Sequence, residues 1–88
     1  MQNFYYVYIL IDTETEMHHY VGVTQDLSER LAKHNAGEVP HTSKFRPWRI
    51  QTAVAFDSKE KAVAFENHLK SGSGRDLPSA IFDFPSYA

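Results

Sequence analysis

Phe4-Tyr5-Tyr6-Val7-Tyr8-Ile9-Leu10-Ile11 is an unbroken run of aromatic and aliphatic residues, too short for an ordinary helix. A run of that kind reads as a strand covered on both faces. Asp12-Thr13-Glu14-Thr15-Glu16-Met17 is polar and turn-like, and His18 to Val23 then reads as a second strand. Short connections join antiparallel neighbours, so these two strands are expected to form a hairpin. Asp26-Leu27-Ser28-Glu29 sets an acidic N-cap three residues before a glutamate, a variant of the capping box. Leu27, Leu31 and His34 follow at helical spacing and Gly37 suits the helix end, which predicts a helix over about 26–36.

Pro40 and Pro47 punctuate a loop over 37–49, and Ile50 to Phe56 gives a third strand. Ser58 is a good N-cap for a second helix with Ala62, Phe65 and Leu69 on one stripe, closed by Ser71-Gly72-Ser73-Gly74. The order β-β-α-β-α predicts an α+β fold: a small three-stranded, mainly antiparallel sheet flanked by helices. Residues 1–75 are read as the domain and 76–88 as a tail packed on it. Within the tail, Asp76-Leu77-Pro78 fits a helix start, while Ile81-Phe82-Asp83-Phe84 and Pro85 fit a packed extended segment.

Composition narrows the picture. Eighty-eight residues suffice for one core, and a hydrophobic share of 42% is ordinary for a globular chain. With no cysteine there is no disulfide, thiolate metal site or thiol nucleophile. No signal-peptide pattern is present, and no apolar run approaches the ~20 residues of a membrane span, so a cytoplasmic protein without a membrane partner is expected.

The net charge of −2 hides an asymmetry. Residues 1–29 carry Asp12, Glu14, Glu16, Asp26 and Glu29 and no lysine or arginine. Residues 30–49 carry Arg30, Lys33, Lys44, Arg46 and Arg49 against Glu38 alone. Such a stretch makes a local positive field suited to phosphate. Lys33, His41, Lys44, Arg46 and Arg49 are therefore candidate nucleic-acid contacts; solvation of helix and loop surfaces is the plainer reading.

Tyr6-Val7-Tyr8, followed twelve residues on by Tyr20-Val21-Gly22, resembles the paired tyrosine motifs of the GIY-YIG nuclease superfamily. Asp26-Leu27-Ser28-Glu29-Arg30-Leu31-Ala32-Lys33-His34-Asn35 is similar to the family's helix, where histidine or tyrosine follows arginine by four residues. Glu66, in Ala64-Phe65-Glu66-Asn67-His68-Leu69-Lys70, matches its metal-binding glutamate. The loop His41 to Trp48 and Leu69-Lys70-Ser71-Gly72-Ser73-Gly74-Arg75 resemble the small stand-alone bacterial branch. Tyr6 and Val7 depart from the namesake motif, and Pro78 stands near where the family often has an asparagine.

The residue types suit phosphodiester hydrolysis in their own right. That reaction needs an activated water, charge stabilisation on the phosphoryl oxygens and help for the leaving oxygen. A hard cation such as Mg²⁺ is commonly held by one or two carboxylates with water completing its shell. Arginine offers fixed donors for phosphate, and His34 shares a helix face with Arg30. A turn centred on Glu14 would set Tyr8 opposite Tyr20, with both hydroxyls on one sheet face.

The resemblance implies that Tyr8 positions or deprotonates water, Tyr20 and His34 assist, Arg30 steadies the phosphate and Glu66 holds Mg²⁺ or Mn²⁺. Taken singly, Tyr8 and Tyr20 read as core aromatics, Arg30 and Glu66 as solvated helix residues, and His34 as a helix-surface residue. Their joint occurrence in order turns the reading toward catalysis. Trp48 reads as a core cover, with stacking on a splayed base as its alternative; Gly22 reads as a tight strand end. The expectation is a metal-dependent endonuclease acting on DNA, or RNA, in structure-specific repair or recombination. Its alternatives are a non-catalytic nucleic-acid-binding module and a protein-interaction or self-association module using residues 77–88.

Overall fold

The computed structural model describes residues 3–71. The 76–88 tail and the Gly72-Ser73-Gly74 end of the second helix lie outside them. Strands β1 (Tyr5–Asp12) and β2 (His19–Thr24), helix α1 (Leu27–Asn35), strand β3 (Trp48–Phe56) and helix α2 (Lys59–Lys70) follow one another in the expected order. The sheet is antiparallel with β1 at its centre, flanked by β2 and β3. A central strand pairs along both edges and packs on both faces, which is why β1 is apolar without alternation.

Successive side chains of β1 point to opposite faces. Val7 and Ile9 pack with Val21 against Ala62 and Leu69 of α2. Tyr8 and Leu10 pack with Trp48 against Leu27 and Leu31 of α1. Burying one such aliphatic side chain stabilises by about 1.5–3 kcal/mol. The sheet is therefore the middle layer, with one helix on each face.

Both helices begin where their side chains dictate. The Asp26 carboxylate accepts from the Glu29 amide at 3.0 Å, and Ser58 Oγ accepts from the Lys61 amide at 3.3 Å. Helix α1 ends in a Schellman motif: the Gly37 amide donates to the His34 carbonyl and the Glu38 amide to the Lys33 carbonyl, at 3.2 and 3.1 Å. Gly37 has φ 80°, the left-handed conformation that this closure requires.

The structure corrects two local expectations. Strand β3 starts at Trp48, not Ile50, because the Asn35 side chain clamps Trp48 through its Oδ1, which accepts from the Trp48 amide at 2.6 Å, and its Nδ2, which donates to the Trp48 carbonyl at 3.1 Å. The hairpin pairs Tyr8 with Gly22 and Leu10 with Tyr20 rather than Tyr8 with Tyr20. The shift is two residues, so the face is conserved while the partner changes.

Asp12 explains that register. Its buried carboxylate accepts from the Thr15 amide at 2.6 Å, the Thr15 hydroxyl at 2.9 Å and the His18 amide at 2.9 Å. Burial alone would raise its pKa, but these donors, with the His18 ring, outweigh burial and hold it well below the ordinary carboxylate range. Glu16 then takes φ 59°, completing a turn longer than one centred on Glu14.

Candidate active site

Tyr8 and Tyr20 project from neighbouring strands with ring centroids 6.3 Å apart. Helix α1 crosses this face and lowers His34 between them. The His34 ring lies 5.9 Å from Tyr8 and 4.9 Å from Tyr20, centroid to centroid. His34 is fully buried at 0% exposure, which overturns its reading as a helix-surface residue. A buried imidazole needs partners on both nitrogens. Its Nε2 lies 3.0 Å from the Tyr8 hydroxyl and its Nδ1 lies 2.8 Å from Thr42 Oγ1.

Arg30, one turn before His34, reaches the Tyr8 hydroxyl with its guanidinium. Its Nε is buried with no hydrogen-bond partner. An orphaned buried donor costs about 1–3 kcal/mol, and a phosphoryl oxygen is the kind of acceptor that would satisfy it. Glu66 comes to the cluster from α2. Its negative charge is felt at Tyr8, and its side chain is only 18% exposed. Lys70 closes on it, with Nζ 2.9 Å from Glu66 Oε2 and 5.8 Å from the Tyr20 ring centroid. The five residues singled out in the sequence thus converge.

The electrostatics separate their roles. Burial first, then Tyr20, pushes the Tyr8 hydroxyl up to about 12; Arg30 pulls back and Glu66 adds to the rise. Burial and the Arg30 charge lower the pKa of His34. Neutral imidazole is thereby favoured beside a neutral phenol.

Below about 6.5, the ordinary value for histidine, the unfolded chain binds a proton that folded His34 resists. The contribution is complete above that pH and is lost as pH falls through the lowered folded value. Urea unfolding from pH 7.5 to 5 should show declining stability, and His34→Gln should show a shallower decline. Equal slopes for the two proteins would contradict this.

The basic candidates differ in their surroundings. Lys33 is exposed and paired with Glu29 at 3.2 Å. Arg49 is paired with Glu16 at 2.8 Å and stands opposite Ile11, a register position on the α2 side of the sheet. It therefore does not join the tyrosine face. Arg46 donates from Nε to the Ser43 carbonyl at 3.1 Å and packs against Gly37. His41 and Lys44 are exposed on the loop before β3. Trp48 is a core residue, 4% exposed, with Nε1 donating to the Thr42 carbonyl at 2.8 Å, so it offers no face to a base.

Two residues of the site escaped the sequence reading. Gly22 is no strand end: it lies within β2 directly opposite Tyr8, and the phenol ring occupies the space a side chain would need. Thr42, 1% exposed, is the second partner of His34. Its position in a loop without periodicity gave no signal, although its place beside His41 in the family-like loop segment could have prompted attention.

The GIY-YIG catalytic domain matches residues 4–77. The chain belongs to the GIY-YIG family. It is 32% identical over 72 residues to a UPF0213 protein of Haloquadratum walsbyi, covering 81% of this chain and 79% of the relative. A UPF0213 protein of Lactococcus lactis is 38% identical over 65 residues, 73% of this chain and 61% of the relative. One of Streptococcus pyogenes is 37% identical over 71 residues, 80% of this chain and 75% of the relative. The chain thus spans about three fifths of the Lactococcus relative and more of the other two. Membership places the tyrosine–histidine–arginine–glutamate cluster in a family of nucleases.

Proposed function

We propose that this GIY-YIG chain is a divalent-metal-dependent endonuclease hydrolysing phosphodiester bonds in DNA. The observation that carries the reading is the buried Tyr8–His34 pair, 3.0 Å apart, with Arg30 beside the same hydroxyl. A phenol with a pKa of about 12 is not ionised at neutral pH. Ionising it unaided there costs on the order of 7 kcal/mol. The proton must be handed on, and His34 Nε2 is in place to take it. Water entering beside Tyr8 gives its proton to the phenol oxygen as the phenol proton passes to Nε2. Arg30 stays charged throughout and faces the phosphoryl oxygens, where its donors stabilise the charge that grows in the transition state. Tyr20 walls the histidine and keeps the phenol oriented.

Glu66 fits a hard divalent cation: it is a single, largely shielded carboxylate next to the phenols. A hard cation held by a single carboxylate would complete its shell with water and phosphate oxygens. That suits Mg²⁺ or Mn²⁺ rather than zinc. When bound, such an ion supplies charge neutralisation for the leaving oxygen. Lys70 holds Oε2 and would move aside for an ion that takes both Glu66 oxygens.

His41 and Lys44 on the exposed loop suit backbone phosphate rather than base edges. Selection by DNA structure, as in repair or recombination substrates, is therefore the specificity we assign. Branched, nicked and single-stranded DNAs incubated with Mg²⁺ or Mn²⁺ should include at least one that is cut, and chelation should stop cutting. Arg30→Ala should slow it by about 10²–10³-fold, and Glu66→Ala should abolish metal stimulation. Cleavage that persists in both variants would sink this reading.

A further inference from the structure

We infer that Thr42 is a positioning residue that fixes the His34 tautomer and thereby makes Nε2 the acceptor for the Tyr8 proton. This rests on the nuclease reading for its role in turnover, but the tautomer itself follows from hydrogen-bond directions. Arginine can only donate, so between Arg30 and His34 the buried Tyr8 proton has Nε2 as its acceptor. Nδ1 must then carry the ring proton, and Thr42 Oγ1, 2.8 Å away, accepts it. The Thr42 hydroxyl proton goes to the Val39 carbonyl at 3.2 Å. Every proton in this chain has one acceptor and all run the same way, from phenol to loop backbone.

The loop is built to hold that oxygen still. The Thr42 amide donates to the Val39 carbonyl at 3.1 Å. The Thr42 carbonyl accepts from the Phe45 amide at 3.2 Å and from the buried Trp48 indole at 2.8 Å. Thr42 is thus anchored through its amide, carbonyl and hydroxyl, and its side chain is 1% exposed. When Nε2 takes the phenol proton, Nδ1–H remains bonded to Thr42 Oγ1, which stabilises the imidazolium without itself losing a proton. To reset the site, the phenol passes the proton it took from the attacking water to the leaving oxygen or to bulk water, and takes back its own from Nε2. On the protein only O–H and N–H bonds change; on the substrate the P–O bond to the attacking oxygen forms as the P–O bond to the leaving oxygen breaks.

Thr42→Val is nearly isosteric and removes the acceptor; Thr42→Ser keeps it. Nitrogen-15 NMR on histidine-labelled protein, with the His34 signals assigned against His34→Gln, should show Nδ1–H in the wild type and in Thr42→Ser. In Thr42→Val the signals should shift to a mixture or to Nε2–H. On the cleaved DNA, Thr42→Val should lower kcat about 10–100-fold with KM unchanged, and Thr42→Ser should restore most of the rate. A wild-type or Thr42→Ser ring protonated at Nε2 would overturn the inference even if Thr42→Val failed to fold. So would a folded Thr42→Val with unaltered tautomer and kcat. A wild type that cuts none of the DNAs would defeat the nuclease reading alone, since the tautomer is read without turnover.

Discussion

Tyr8→Phe should leave a folded protein that cuts DNA about 10²–10⁴-fold more slowly, the range expected when a general acid–base group is lost. The ring of Tyr8 is part of the core around Leu10 and Trp48, and phenylalanine keeps that packing. What disappears is the oxygen between His34 Nε2 and Arg30. Both partners then face an apolar edge, which should cost about 1–3 kcal/mol of stability. The loss of rate exceeds anything that modest destabilisation can produce, because the unfolded fraction stays small. Single-turnover cleavage beside thermal unfolding separates the two effects. A variant that cuts at the wild-type rate would remove the phenol from the mechanism and leave Arg30 and the Glu66 site to account for activity. His34→Gln should lose rate as well, and combining it with Tyr8→Phe should add little, since the two act on one proton.

The fold was legible wherever structure is set by neighbours in the chain. Asp26 and Ser58 each bond an amide three residues away, so both helix starts could be read directly. The burial of β1 on both faces followed from its lack of alternation. The register did not, because Asp12 folds its carboxylate over the turn and forces Glu16 into a positive φ, and no periodicity records that. His34 was placed on the right helix face, yet its burial depends on what Tyr8, Tyr20 and Thr42 offer from three separate segments. Arg49 reads as a nucleic-acid contact from its charge alone; the register shift in β3 sets it opposite Ile11, where its side chain meets Glu16. Charge along a chain reports a field only after the pleat has assigned faces.

The other large effect should come from a single methyl group. Gly22→Ala places a Cβ 2.5 Å from the Tyr8 hydroxyl oxygen, 2.6 Å from its Cζ and 3.0 Å from its Cε1. Contacts that close are not tolerated, so the ring or the strand must move. The ring has nowhere to go: it is 1% exposed and bounded by Tyr20 and His34. Alanine would otherwise favour a strand over glycine by about 0.5–1 kcal/mol, but overpacking a fixed core costs about 1–3 kcal/mol or more. The clash should win, and melting should fall by several degrees. Activity should fall further, because a phenol displaced by about 1 Å no longer meets both Nε2 and the water, a misplacement worth about 10²-fold. Tyr8→Leu removes the colliding atoms, so Gly22→Ala should cost much less stability in that background than in the wild type. Additive losses in the double variant would mean that Gly22 is needed for some reason other than the phenol above it. A coupling of 1 kcal/mol or more is the size expected for side chains in direct contact, and would tie the second motif's glycine to the first motif's tyrosine.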